Sequence, residues 1–140
     1  MEAAISQQEN LRIVQEAFAA LNAHDVDRYA AMLDESCVEG KYARPLPVRG
    51  RTAARAAMQE YLRVFPDLHF DLDLMVASDD QVVTRWLVSG TYGGASMSSP
   101  PSDRHVKEHG CTLSTLRRTS IVQVWHYWDT DHLPSRQTGP

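Results

Sequence analysis

The chain has 140 residues, 43% hydrophobic and 23% charged, with a formal net charge of −4. That length lets one domain, residues 1–140, bury a core without staples, and an acidic balance with no basic stripe argues against a nucleic-acid partner, whose phosphates need clustered Lys and Arg. Apolar runs are too short to span a bilayer, MEAAISQQEN lacks the basic start and apolar core of a signal peptide, and Cys37 and Cys111 have no metal or disulfide spacing; the expectation is a cytoplasmic protein with reduced thiols and no membrane partner.

In chain order, Ser6 to Asn22 has Leu11, Val14, Phe18 and Leu21 at steps of three and four, the spacing of an amphipathic helix. Asp25 is placed to cap a second helix from Val26 to Leu33, with Tyr29, Met32 and Leu33 inward. Glu35 to Tyr42 suits a short strand. The following ARPLPVRG, with Pro45, Pro47 and Gly50, suits a loop. Thr52 opens a third helix carrying Met58, Tyr61 and Leu62 on its inner side, and Pro66 stops it after Val64.

From Leu68 the period shifts from 3.6 toward 2. His69 to Ala77 and Val82 to Tyr92 are expected to form a hairpin about the polar turn from Ser78 to Gln81. A Gly, Ser and Pro-rich loop from Gly93 to Asp103, holding Met97, leads to a strand from His105 to Leu116. The last strand, Thr119 to Asp129, reads TSIVQVWHYWD. Strict alternation puts Gln123, Trp125, Tyr127 and Asp129 on one face and Val122, Val124, His126 and Trp128 on the other. The first face mixes rings with polar groups and suits the wall of a ligand cavity, whereas the second suits packing under helices. Three helices followed by long strands indicate an α+β fold, helices on one face of a curved, mostly antiparallel sheet.

If Leu116 and Ile121 flank the last turn, Glu108 lies across from Asp129 and Thr112 across from Trp125. Two acids sharing one end of a pocket cannot easily ionise together, which suits a general acid beside a base. A shift of one residue brings His109 to Asp129 instead, an imidazole–carboxylate pair with equally usable chemistry. Arg85, inside an apolar strand, either reaches solvent or meets a substrate oxygen or acid in the cavity. Tyr92 and Met97 suit the cavity mouth, a plastic thioether on a loop serving as a lid over an apolar guest. His105, His109, His126 and His132 do not converge on one face as three metal ligands must, so no metal site is expected.

The ordered set of motifs resembles the SnoaL-like polyketide cyclases of the NTF2-like superfamily. It comprises NLRIVQEAFAALNAHDVD, the FPDL at Phe65 to Leu68, VVTRW at Val82 to Trp86, SGTYGG followed by PPSDRHV, and IVQVWHYWD. The chain differs from that pattern at Cys37 to Gly40, at Gln123, and in the tail DHLPSRQTGP, where Asp131 becomes a rival to Asp129. The resemblance implies an NTF2-like cone-shaped barrel, usually a homodimer or homotetramer. Its pocket would take a hydrophobic, polyketide-derived small molecule, with no metal and no organic cofactor. It implies Asp129 as the acid/base of an intramolecular aldol closure, with Glu108 or His109 as companion and Gln123, Arg85, Tyr92, Met97, Trp125 and Tyr127 on the substrate. Alternative activities are hydroxylation, epoxide opening by Asp129, Arg85 and Glu108, or ligand binding and dimerisation without chemistry.

Overall fold

A computed structural model describes residues 2–41, 46–93 and 104–128. The element order is α1 (Glu2–Asn22), α2 (Val26–Ala31), β1 (Leu33–Lys41), β2 (Val48–Arg49), α3 (Arg51–Val64), β3 (His69–Ser78), β4 (Gln81–Tyr92), β5 (Arg104–Arg117) and β6 (Ser120–Trp128). One curved, open sheet orders its strands β2-β1-β6-β5-β4-β3. All neighbours are antiparallel except β1 and β6, which pair in parallel. The expected α+β architecture is thus present, and none of the described helices is long and apolar enough to cross a membrane.

The helices cover one face because their apolar stripes match its inward positions. Val14, Phe18 and Leu21 of α1 are buried, and the Phe18 ring meets Phe70 of β3 edge-on at 5.4 Å. At the end of α1, Asn22 Nδ2 donates to the Phe70 carbonyl at 2.9 Å while Oδ1 accepts the Phe70 N–H at 2.8 Å. That double bond fixes the helix against edge strand β3 and satisfies backbone groups an edge leaves open. Asp25 caps α2 as expected, accepting the Arg28 N–H at 3.1 Å.

Two expected boundaries move. Helix α2 ends at Ala31 rather than Leu33, because the Met32 carbonyl accepts the Ile121 N–H at 3.0 Å and Leu33 pairs with Ile121 as the first residue of β1. The Pro-rich loop contains β2, a two-residue strand on the outer edge of β1, where prolines nearby cost the sheet nothing.

The hairpin of β5 and β6 changes register part-way, following the first expectation at the turn and the one shifted by one residue beyond it. Leu116 pairs with Ile121, as expected, but Thr115 pairs with Gln123, so Val122 is an extra residue. Beyond it Thr112 faces His126 and Gly110 faces Trp128. The expected partners of Thr112 and Gly110, Trp125 and Tyr127, are therefore displaced by one. A bulge also reverses the alternation, so Ile121 and Val124 are both buried in the core despite their odd spacing.

Candidate functional site

Alternation along the long strands decides what meets in the interior. On β4 the even positions Val82, Thr84, Trp86, Val88 and Tyr92 are buried; on β5, Val106, Glu108, Thr112, Ser114 and Leu116 are. On β6 the inward set beyond the bulge is Val124, His126 and Trp128. Rings dominate this face. Trp86 meets Phe70 at 5.2 Å and Trp128 at 6.3 Å, and Phe65 meets Tyr92 at 5.8 Å. Gly110, between the two indoles, leaves their space: a Cβ there would lie 2.5 Å from Trp86 Cη2, 2.5 Å from the Tyr127 carbonyl oxygen and 2.8 Å from Trp128 Cβ. At the end of β1, Lys41 Nζ sits 4.4 Å from the Tyr61 ring centroid and 6.0 Å from that of Trp128, a cation over two ring faces.

Through this apolar interior runs one polar chain. Trp86 Nε1 donates to Thr112 Oγ1 at 2.8 Å, Thr112 Oγ1 lies 2.9 Å from His126 Nδ1, and His126 Nε2 lies 2.9 Å from Glu39 Oε2. All four residues are buried. Register explains the assembly: Thr84, Thr112 and His126 face one another across β4, β5 and β6, and the parallel pairing of β1 with β6 brings Glu39 alongside Val124, one inward step from His126.

Proton positions follow from donor and acceptor inventories. With Glu39 as the carboxylate and His126 as the neutral imidazole, Nε2 carries the proton donated to Glu39. The neutral ring then has a bare Nδ1, which accepts the Thr112 hydroxyl proton, and the Thr112 oxygen accepts from the Trp86 indole, which can only donate. Every bond points from Trp86 toward Glu39. Beyond the chain, Glu39 Oε1, Tyr29 Oη, Thr84 Oγ1 and Trp128 Nε1 are buried without a partner among the described residues. Burial raises the Tyr29 phenol well above its ordinary pKa, and the nearby Glu39 and Cys37 add to the effect, so Tyr29 remains an O–H donor. Burial likewise pushes the Cys37 thiol up to about 12, with Glu39 and then Asp34 contributing.

Several residues assigned from the sequence lie elsewhere. Gln123 and Tyr127 are exposed and Trp125 is half-buried on the opposite, outer face, so the strand face expected to wall a cavity is the outer one, while Val124, His126 and Trp128 lie under the helices as expected. Trp125 there donates Nε1–H to Gln123 Oε1 at 3.2 Å and lies across Gly40, where a Cβ would come within 2.1 Å of its ring. Arg85 is also outward, donating Nε–H to Asp73 Oδ1 at 2.9 Å with its side chain 57% exposed. His109 has the same outward parity and is exposed, whereas Glu108 points inward. The described geometry thus separates Arg85 from Glu108 by the thickness of the sheet, which removes the epoxide-opening cluster of Asp129, Arg85 and Glu108. Of the expected substrate residues, Tyr92 is on the inner face, against Phe65. Met97, Asp129 and Asp131 lie outside the described residues.

Glu39 and His126 were not paired by sequence reasoning, being 87 positions apart on strands whose parallel pairing no local pattern announces. The signals were present separately. His126 is the one polar residue on an apolar strand face, and Glu39 falls in the stretch where the chain differs from the family pattern.

The model of the SnoaL-like polyketide cyclases matches residues 12–134. No curated protein matches the chain. Among solved structures, a proposed SnoaL-like polyketide cyclase from Jannaschia sp. CCS1 superposes with a TM-score of 0.85 at 19% identity, covering 96% of this chain and 94% of that one. A proposed polyketide cyclase from Xanthomonas campestris pv. campestris gives 0.84 at 20%, covering 94% and 98%. AclR, a proposed hydroxylase from Streptomyces galilaeus, gives 0.81 at 22%, covering 96% and 99%. These likenesses show a shared NTF2-like fold. With a family model matched over most of its length, the chain belongs to the SnoaL-like polyketide cyclases.

Proposed function

We propose that this protein closes a ring on a hydrophobic, polyketide-derived aromatic intermediate by cofactor-free intramolecular aldol condensation in the helix-covered interior. The observation that supports the reading is an interior walled by Trp86, Trp128, Phe65 and Tyr92 and holding buried polar atoms, Glu39 Oε1 and Tyr29 Oη among them, that no group among the described residues satisfies. An aromatic wall with a few convergent polar atoms is the usual composition of a small-molecule site. In the closure an activated methylene loses a proton, its carbon bonds to a ketone carbon, and the ketone oxygen gains a proton. Holding an already reactive chain in the near-attack shape supplies much of the rate.

Asp129 is the acid/base that the family resemblance proposes, with Glu108, inward on β5, or its neighbour His109, on the outward side of the same strand, as companion. The partners proposed are the substrate and further copies of this chain, as a homodimer or homotetramer. The outer row Val76, Val83, Leu113 and Trp125, continuous across four strands, is the apolar face such an assembly would cover.

The test uses an aromatic ketone carrying an ester-activated methylene placed to close a six-membered ring. The protein should convert it to an isomer of unchanged mass that lacks the ketone carbon signal, and Asp129→Asn should slow the conversion about 100-fold or more. A rate no greater than that of buffer would refute the reading.

A further inference from the structure

We propose that Glu39 is a general base of this interior, its carboxylate aimed by His126, Thr112 and Trp86, with the Tyr29 hydroxyl as the hydrogen-bond donor that receives the oxyanion formed as the proton leaves. The inference rests on the reading of the interior as a reaction site, and adds a proton-transfer group that the family resemblance does not contain.

Burying the Glu39 carboxylate is costly. A carboxylate buried to 3% exposure is expensive unless its oxygens are satisfied. Oε2 is satisfied by His126, at 2.9 Å, while Oε1 has no partner among the described residues. A group serving only to hold the fold would be expected to use both oxygens, since an unsatisfied buried acceptor costs about 1–3 kcal/mol. The supporting chain is built to one end. Trp86 fixes the Thr112 oxygen, Thr112 fixes the Nδ1 side of the imidazole, and the imidazole thereby presents Nε2–H to one carboxylate oxygen and leaves the other free. Nothing along the chain beyond Glu39 uses that order.

Tyr29 supplies the complement. It enters from α2, opposite the sheet, and its hydroxyl is buried with no partner among the described residues. Both groups belong to the same buried interior, Tyr29 entering from the helix side and Glu39 from the sheet. A base with a free lone pair and a hydrogen-bond donor that does not ionise are the two groups needed when a carbon acid becomes an enolate: one takes the proton, and the other stabilises the oxygen that gains the charge. Glu39 is the catalytic residue in this account. His126, Thr112 and Trp86 are positioning residues.

The general-base probe 5-nitrobenzisoxazole tests this without the natural substrate. A base removes its C3 proton as the ring N–O bond breaks, the C–H electrons form the nitrile, and the N–O pair stays on oxygen as a coloured phenolate. Wild-type protein should exceed an equal concentration of acetate, and Glu39→Gln should lose about 100-fold in kcat. Glu39→Asp, which keeps the carboxyl but shortens its reach, should lose roughly 10-fold and serves if the glutamine variant fails to fold. His126→Gln retains an N–H donor near Nε2 and should keep kcat within about 10-fold, while His126→Leu should lower kcat with KM unchanged. A purely structural His126 would leave those two variants alike among their folded molecules. Wild-type turnover no better than acetate, or Glu39→Gln or Glu39→Asp equal to wild type, would overturn the proposal. Elimination through Glu39 without ring closure on the aromatic ketone would refute the cyclase reading alone; ring closure surviving Glu39→Gln would refute the Glu39 assignment alone.

Discussion

Thr112→Val separates hydrogen bonding from packing in the buried chain. Valine matches threonine in shape, so the substitution opens no cavity, but it removes the acceptor of the Trp86 indole N–H and the donor to His126 Nδ1. Both partners are deeply buried, Trp86 at 1% and His126 at 5% exposure. Each left unpaired costs about 1–3 kcal/mol, for a gross loss of about 2–6 kcal/mol. The methyl that replaces the hydroxyl returns about 0.8 kcal/mol of apolar burial, leaving a net destabilisation of about 1–5 kcal/mol. Thr112→Ser is the control, because it keeps the hydroxyl and loses only a methyl, at about 1 kcal/mol. Urea unfolding followed by circular dichroism should rank wild type above serine and serine above valine, with unchanged slopes. Packing alone predicts valine above serine. That order, or a valine variant within about 0.5 kcal/mol of wild type, would refute the directed chain from Trp86 to Glu39.

Gly110→Ala should be destabilising by about 1–3 kcal/mol or more, since its Cβ meets a backbone oxygen at 2.5 Å that moves only with the β5–β6 register. Its melting temperature should fall by about 5 °C or more, while Gly93→Ala, whose nearest neighbour is 4.0 Å away, should melt close to wild type. Cys37, with its pKa pushed up to about 12, should resist iodoacetamide at pH 8 in the folded protein and react once urea unfolds it. The same shift has a sign in stability. The raised value means the folded state retains a proton that the unfolded chain loses, so the contribution is full below the unfolded thiol pKa and is lost as pH rises toward 12. Wild type should therefore lose more stability between pH 8 and 11 than Cys37→Ala, and equal losses would contradict the buried thiol.

Much of the fold was legible because its signals are local. The 3.6 period of Leu11, Val14, Phe18 and Leu21, the Asp25 cap, the stop at Pro66 and the alternation of Val82 to Tyr92 each act over a few residues. The site was less legible because it depends on relations between distant strands. The extra residue at Val122 carries no Gly or Pro to announce it, yet it reverses the alternation on β6 and displaces the pairing of Thr112 from Trp125 to His126. Assigning the mixed face of that strand to the cavity followed from its polar content. In the structure the helices cover the other face, and its polar content is contributed by four strands, with Glu39 on β1, Thr84 on β4, Thr112 on β5 and His126 on β6. Arg85 illustrates the same limit: a long side chain on an apolar strand is compatible with either face, and the bulge at Asp73 on β3 sets its partner.

The central claim is that ligands occupy the helix-covered face that carries Trp86, Trp128 and His126, and the three tryptophans of the chain report on it directly. Trp86 and Trp128 point inward, and Trp125 lies on the outer face beside Gln123. The decisive measurement is a titration of nitrogen-15-labelled protein with 2-naphthol, following the three indole N–H signals by NMR. Saturable shifts of the Trp128 and Trp86 signals with Trp125 unmoved are the predicted result, Trp128 moving most because its buried N–H has no partner among the described residues. Shifts confined to Trp125 would place the ligand on the outer face and contradict the account.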